Sequence, residues 1–317
     1  MRDALPIGFP KFIVSTVASG DVAPYVGEAD ITLMYSVVDI AGLNSVLRDV
    51  LSNAGAAIAG AALAYAARLQ DQRKQKQQTA PQFTDAKKQV GITMFGVTTP
   101  GVDAIRRHLE SHYPISTFVF HATGSGGKSL ERLAREGHLD AVLDLTTTEI
   151  ADHLVPGSVM SAGPDRLSGV SSLEIPWIVS LGATDMVNFG PRNTVPEQFT
   201  KDGDRLIYEH NPAVTLMRSS AEEARHIGEF IAGKLKQAKN PNLVQVWLPR
   251  GGLSMLSNPG GPFADPNADD ALFDALRIGL EGSGVKVVDD ERDINNEGFA
   301  HDIAEELIKL MGLKKET

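Results

Sequence analysis

Cysteine is missing from all 317 residues, which excludes disulfides, thiolate nucleophiles and cysteine-ligated metals and suits a reducing, cytoplasmic setting. Basic residues are in deficit, 30 lysines and arginines against 40 aspartates and glutamates, for a net charge of −10. That balance disfavours non-specific binding to nucleic acid or to an anionic membrane surface, so neither is expected as a partner. No basic lead runs into an apolar stretch with a cleavage site, so secretion is not expected. The G-x-G-x-x-G fingerprint is absent, which disfavours a nicotinamide cofactor, and so is the G-x-S-x-G nucleophile elbow. What remains is an ordinary soluble composition, 42% hydrophobic and 22% charged, in a chain long enough for two cores.

The chain opens directly on core-like strands, at residues 11–17 and 31–38, as if earlier elements of an α/β domain were missing. A long helix follows from Asp39 to Leu69, rich in alanine and glycine. Pairs such as Gly55/Ala59 and Gly60/Ala64 give it a smooth face that another backbone can approach closely. Its uncharged span, residues 50–67, raises a membrane helix. Alanine is weakly apolar and Ser52 and Asn53 are polar, so a buried core helix or a dimer-interface helix is expected instead.

Residues 70–85, QDQRKQKQQTAPQFTD, change composition sharply and read as a frayed helix end and a linker. The expected domains are therefore 1–84, an incomplete α/β domain, and 85–317. In the second, strands alternate with helices, which predicts a mainly parallel, doubly wound, Rossmann-like sheet with helices on both faces. Strands are expected at 91–96, 115–120, 141–145, 177–181, 243–248 and 285–288. Ser219 or Ser220 with Glu222 or Glu223 forms a capping box for a helix reaching about Lys236, and a last helix spans 298–311. Residues 190–211, with their prolines and mixed charge, read as a lid or a dimer arm.

In such a sheet the loops after the strands share its carboxyl edge, where ligands bind at the reversal of strand order. Several of these loops mix glycine with hydroxyl groups. The most marked runs from His121 to Ser129, HATGSGGKS, between a strand and a helix. It presents Thr123, Gly124, Ser125, Gly126, Gly127 and Lys128, a composition suited to an anion. It is not a complete P-loop, which requires glycine where Ala122 stands. Thr98, Thr99 and Gly101 begin another helix and are further candidates for phosphate, with capping as their alternative role. Arg192 and Arg250, the latter followed by Gly251 and Gly252, are candidate anion clamps. His121 is the candidate acid or base. Asp144, Glu149 and Asp185 are candidate magnesium ligands. His108 and His112, spaced i, i+4, face one side of a helix, but no third metal ligand is in sight and a solvated face explains them.

Several long stretches resemble one family in the same order: FGVTTPGVDAIRRHLE, FHATGSGGKSLERLAREG, SLGATDMVNFGPRNTVP and LPRGGLSMLSNPGGPFADPNADDALFDALR. The family consists of largely uncharacterised bacterial and fungal proteins and includes the ATP-binding N-terminal region of the tomato protein that confers tobamovirus resistance. The resemblance implies two α/β domains, a homodimer, and binding of ATP with magnesium, while leaving the reaction open. It also implies that family members carry a further N-terminal segment completing the first domain. The expected function is therefore binding of a nucleotide or other anionic small molecule at the carboxyl edge of the second sheet. The alternatives are an enzyme acting on a phosphorylated or carboxylate metabolite in the same cleft, and an assembly scaffold.

Overall fold

A computed structural model describes residues 2–78, 87–201 and 205–315. The chain divides into two compact units, 1–85 and 86–317. The first contains strand β1 (Phe12–Ser15), a short helix α1 (Ala23–Val26), strand β2 (Thr32–Tyr35) and the helix α2 (Ser45–Gln78). β1 and β2 pair in parallel. Lys11, buried beside β1, donates to the carbonyls of Pro6 and Phe9 and to Asp30, so its charge is compensated. The helix buries Leu47 and Ala54, yet most of its length faces outward. The expectation of a helix buried in a core is thus not met within this unit. The stretch read as a frayed end is helical through Gln78, and the rest of the expected linker, 79–85, lies outside the described residues.

The second unit places β3 (Lys88–Met94), α3 (Thr99–His112), β4 (Ile115–His121), α4 (Gly126–Arg135), β5 (Ala141–Thr146), α5 (Thr148–Leu154), α6 (Ser168–Ser171) and β6 (Trp177–Gly182) in succession. Then come β7 (Met186–Phe189), β8 (Ile207–Asn211), β9 (Val214–Arg218), α7 (Ala221–Leu235), β10 (Val244–Pro249), α8 (Pro266–Leu280), β11 (Lys286–Asp290) and α9 (Glu297–Met311). Six strands form one parallel sheet in the order β11-β10-β6-β5-β3-β4. β5, β6 and β10 are buried along their whole length, which suits their nearly continuous apolar sequences. α3 and α9 cover one face, burying Ile105, Leu109, Ile303 and Leu307. α4, α5, α7 and α8 contribute to the core of the other. The doubly wound α/β fold expected from the sequence is present.

Local chemistry fixes the helix ends. Ser220 and Glu223 form the expected capping box of α7. Asp265 caps α8 with Pro266 at its first position, and Asn296 caps α9, which Gly312 ends in a left-handed conformation. One layer differs from expectation. β7, β9 and β8 form a separate antiparallel sheet, so residues 207–211 of the supposed lid or arm are its edge strand. The part before them makes short turns at 192–194 and 197–199.

Candidate functional site

Strand order reverses between β3 and β5, because β4 lies on one side of β3 and every later strand on the other. The carboxyl ends of β3 and β5 are the expected ligand crevice. Here protein fills its floor. Thr98 Oγ1 and Thr146 Oγ1 lie 2.7 Å apart and both residues are fully buried. Residues 253–263 pack above, with Ala183 N–H donating to the Leu253 carbonyl and Met255 N–H to that of Val97. Phe95, Val97, Ala183, Met186, Leu216 and Phe263 form an apolar cluster there. Of the two candidate threonines, Thr98 is a structural tie. Thr99, half-buried, donates to the Phe95 carbonyl. Gly101 is required for packing, since a Cβ would strike the Ile294 carbonyl, and its N–H is taken by Asn295 Oδ1 at 3.1 Å.

The glycine loop is occupied from within. Glu149 Oε1 accepts from Gly124 N–H at 2.8 Å and from Gly127 N–H at 3.2 Å, so a carboxylate of the chain sits where a bound anion was expected. Gly124 has φ +97°, a conformation that favours glycine, and packs on the backbone of Met160 and Ser161. Gly127 has no room for a Cβ beside Arg166 and Glu149. The glycines therefore serve close packing as well as amide presentation.

Glu149 is one arm of a larger cluster. The fully buried Arg166 donates Nε to Glu149 at 2.9 Å, Nη1 to Glu131 at 2.9 Å and Nη2 to Asp144. Glu131 also accepts from the N–H groups of Leu167 and Gly169, and Asp144 from Trp177 Nε1 at 2.9 Å. Burial opposes the guanidinium charge, but three carboxylates outweigh it and hold the arginine pKa above its ordinary value. Burial pushes the Glu131 carboxyl upward, with Arg166 only partly offsetting it.

This geometry corrects the magnesium reading. Asp144 and Glu149 are fully buried and bound to Arg166, so an ion there would have to displace a guanidinium. Asp185 is fully buried elsewhere, with Oδ2 accepting from Ser254 Oγ at 2.7 Å. Among the described residues no group of three or more imidazoles and carboxylates stands ready to hold a metal. Neither arginine clamp joins the glycine loop. Arg192 pairs with Glu209 at 3.8 Å, and Arg250 faces Asp270, Asp289 and Glu291 at 3.3–3.7 Å. Arg250 and Gly251 line a separate cavity of about 220 Å³ whose other walls include Asp265, Asp269 and Glu291, the wrong charge for an anion. Gly252, at φ +145°, packs against Asn258.

What the fold does bring together is an outer rim. Met94 pairs with His121 in register, and Ala122 N–H donates to the Met94 carbonyl, so the β3 and β4 loops are neighbours. The exposed His121 ring lies 5.6 Å from that of Phe95 and has no hydrogen-bonding partner among the described residues. Thr123 is tied to the His121 carbonyl. A helix leaves its first four N–H groups without intrahelical acceptors. In α4, Gly127 is taken by Glu149 and Ser129 by the Ser125 carbonyl, which leaves Gly126 and Lys128. Ser125 is exposed, and the Lys128 ammonium has no ion-pair partner among the described residues. Sequence reasoning missed Glu131 and Arg166, the one embedded in an alternating helix pattern and the other in a loop.

Comparison with known proteins follows this division. Residues 87–311 match the model of the uncharacterised protein family (UPF0261) C-terminal domain, and residues 1–67 that of the corresponding N-terminal domain. A UPF0261 protein of Clostridium tetani is 44% identical over 97% of the chain and 71% of its own length. A relative in Mesorhizobium japonicum is 47% identical over 86% of the chain and 63% of its length. The ToMV resistance protein Tm-1 of Solanum lycopersicum is 43% identical over 97% of the chain, which spans 39% of that protein. The tomato ToMV susceptible protein tm-1 matches at the same 43% identity, so this likeness does not separate the two forms.

Proposed function

This chain belongs to the uncharacterised protein family UPF0261, and on that premise we propose that its second unit binds the phosphate end of a nucleotide, with ATP the first candidate. The supporting observation is the rim at the β3–β4 edge, where residues 121–128 carry an exposed imidazole (His121), an exposed hydroxyl (Ser125), a first-turn amide (Gly126) and an ammonium with no ion-pair partner among the described residues (Lys128). The anion would meet the outside of the glycine loop, because Glu149 holds the inside. A magnesium ion accompanying ATP would be carried by phosphate oxygens and water, the usual mode for this reluctantly dehydrated ion. The neighbouring carboxylates are held by Arg166.

The test is equilibrium titration of the full chain with ATP, with and without magnesium, and with inorganic phosphate. Saturable binding is expected, weakened about tenfold by Lys128→Glu through loss and reversal of one charge. Ser125→Glu should act in the same direction. Gly126→Asp is unsuitable, since its Cβ would collide with the His121 carbonyl and disturb the fold. Equal ATP affinity in wild type and both variants removes the proposal. A metabolite bound at the same rim and turned over, with the rate lost in His121→Ala, would replace it by the enzymatic alternative.

An assembly role is a second reading, favoured by α2. Its stretch Ser45–Asp71 contains 18 consecutive residues of mean hydropathy 1.5, long and apolar enough by composition to cross a membrane, and only 6% of them are buried. Leu63 is 73% exposed. A second copy fits best, because its matching stripe of alanine and glycine allows two backbones to approach without displacing side chains. Native mass should give a homodimer that Gly60→Leu disrupts. Monomeric wild-type protein that sediments with vesicles would assign the helix to a membrane instead.

A further inference from the structure

In the first unit a hollow lies between α2 and the segment that leads into β1. Ala54, Ile58, Ala61, Tyr65 and Arg68 follow one another at three or four positions and so share one side of α2. Ile58, Ala61 and Arg68 line the hollow from that side, and Phe9, Pro10 and Phe12 line it from the other. Ala61 and the neighbouring Ala64 are too short to fill the space, and a cavity of about 250 Å³ remains. Tyr65 meets Phe9 edge to face, with ring centroids 5.2 Å apart, and the Arg68 guanidinium lies 5.7 Å from the centre of the Tyr65 ring. Of the charged groups on the wall, Lys11 and Asp30 satisfy each other. Lys11 Nζ donates to Asp30 and to the carbonyls of Pro6 and Phe9, and the second Asp30 oxygen accepts from Gly8 N–H at 2.8 Å. Arg68 has neither an ion pair nor a hydrogen bond among the described residues. The cavity thus combines apolar walls with one uncompensated positive charge.

We propose that this cavity binds a small apolar monocarboxylic acid, its carboxylate on Arg68 and its hydrocarbon body between α2 and the Phe9–Phe12 segment. An unfilled apolar hollow forfeits contacts along its whole wall, and a ligand of matching shape restores them. A cavity of about 150 Å³ is enough for a benzene ring. The volume here, about 250 Å³, accommodates such a ring together with a carboxylate. A guanidinium that packs on an aromatic ring keeps its N–H edge free, and that edge matches a carboxylate in a two-point contact. The charge of the wall sets the class of ligand. One free cation beside an apolar body suits a monoanion, whereas a phosphate dianion would meet Asp30 without a second free cation to balance it. The site is therefore separate in chemistry from the phosphate rim, and it belongs to the other unit.

The experiment is titration of the full chain with benzoate, followed by ligand-detected NMR, with benzamide as a neutral probe of the same shape and inorganic phosphate as a second control. Benzoate should saturate at about millimolar concentration, as expected for so small a ligand, and raise the melting temperature. Benzamide should bind at least about tenfold more weakly, and phosphate should not compete. Arg68→Met, an exposed position on the helix, should keep the fold and erase the preference for benzoate over benzamide. Ala61→Leu should fill the cavity, raising the melting temperature of the free protein while abolishing benzoate binding. Benzoate that fails to saturate, that binds no better than benzamide, or that binds Arg68→Met as tightly as wild type overturns the proposal. So does benzoate binding that survives in folded Ala61→Leu, which would place the ligand elsewhere.

Discussion

Two buried arginines stand near the carboxyl edge of the second sheet, and they are satisfied in opposite ways. Arg166 spends all three of its donor nitrogens on carboxylates, Glu131, Asp144 and Glu149. Arg218 meets one carboxylate, Asp269 at 2.5 Å, and otherwise donates to the backbone carbonyls of Phe263, Asp185, Ser219 and Asp265. The first ties helix, strand and loop together through charge. The second braces a backbone that carries two acids of its own. The difference shows in the acids. Asp144 and Glu149 are bound to Arg166, whereas Asp185 keeps a buried Oδ1 with no hydrogen-bond partner among the described residues. Burial pushes the carboxyl of Asp185 upward and that of Asp269 to about 6, with Arg218 only partly offsetting it. A buried carboxylate is therefore a poor guide to metal binding until the cation beside it is known.

The largest effect should come from breaking the first cluster. Arg166→Met leaves three carboxylates without their cation, and losing one member of a buried ion pair alone costs about 3–5 kcal/mol. Urea unfolding should show at least that loss, with partial recovery when Glu149→Gln is added. The corresponding Arg218→Met should cost less, about 2–3 kcal/mol, because most of what it orphans are carbonyl dipoles rather than charges. Equal losses, or the reverse order, would show that the distinction between the two arginines is not energetic.

The same contrast separates what could be read in the sequence from what could not. All six strands of the parallel sheet were legible, because apolar runs bounded by glycine and proline announce themselves locally. Ser220 with Glu223 was legible for the same reason, as a motif contained within four residues. The antiparallel sheet was hidden by the polar strand Ile207–Asn211, which is mostly exposed and so lacks an apolar signature. Helix α2 was read correctly as a helix, and of its two expected settings, a buried core or a dimer interface, the first is not met within its unit, because composition reports what a surface prefers and not what covers it. At the site, the acids were placed at the right edge of the sheet. Their partner was not, since Arg166 lies 17, 22 and 35 positions from Glu149, Asp144 and Glu131. The contact between His108 and Glu305, 197 positions apart, was equally out of reach of a local reading.

The smallest expected effect is also the most discriminating. For Asp185 and Asp269 the folded pKa lies above the unfolded one, so the folded chain holds protons that the unfolded chain has released. Stability then falls as pH rises from about 4, and for Asp269 the fall ends near pH 6. Asp152 behaves alike over a wider window. Its carboxyl is pushed by burial to about 7 despite hydrogen bonds from Asn188. Asp185→Asn keeps the volume and the acceptor for Ser254 while removing the ionisable group. It should lie within about 1 kcal/mol of wild type at pH 5 and become the more stable of the two at pH 8. Chemical denaturation at both pH values gives the answer. A variant that loses ground as pH rises would mean that ionised Asp185 is stabilised by Arg218, making the second arginine a charge anchor like the first.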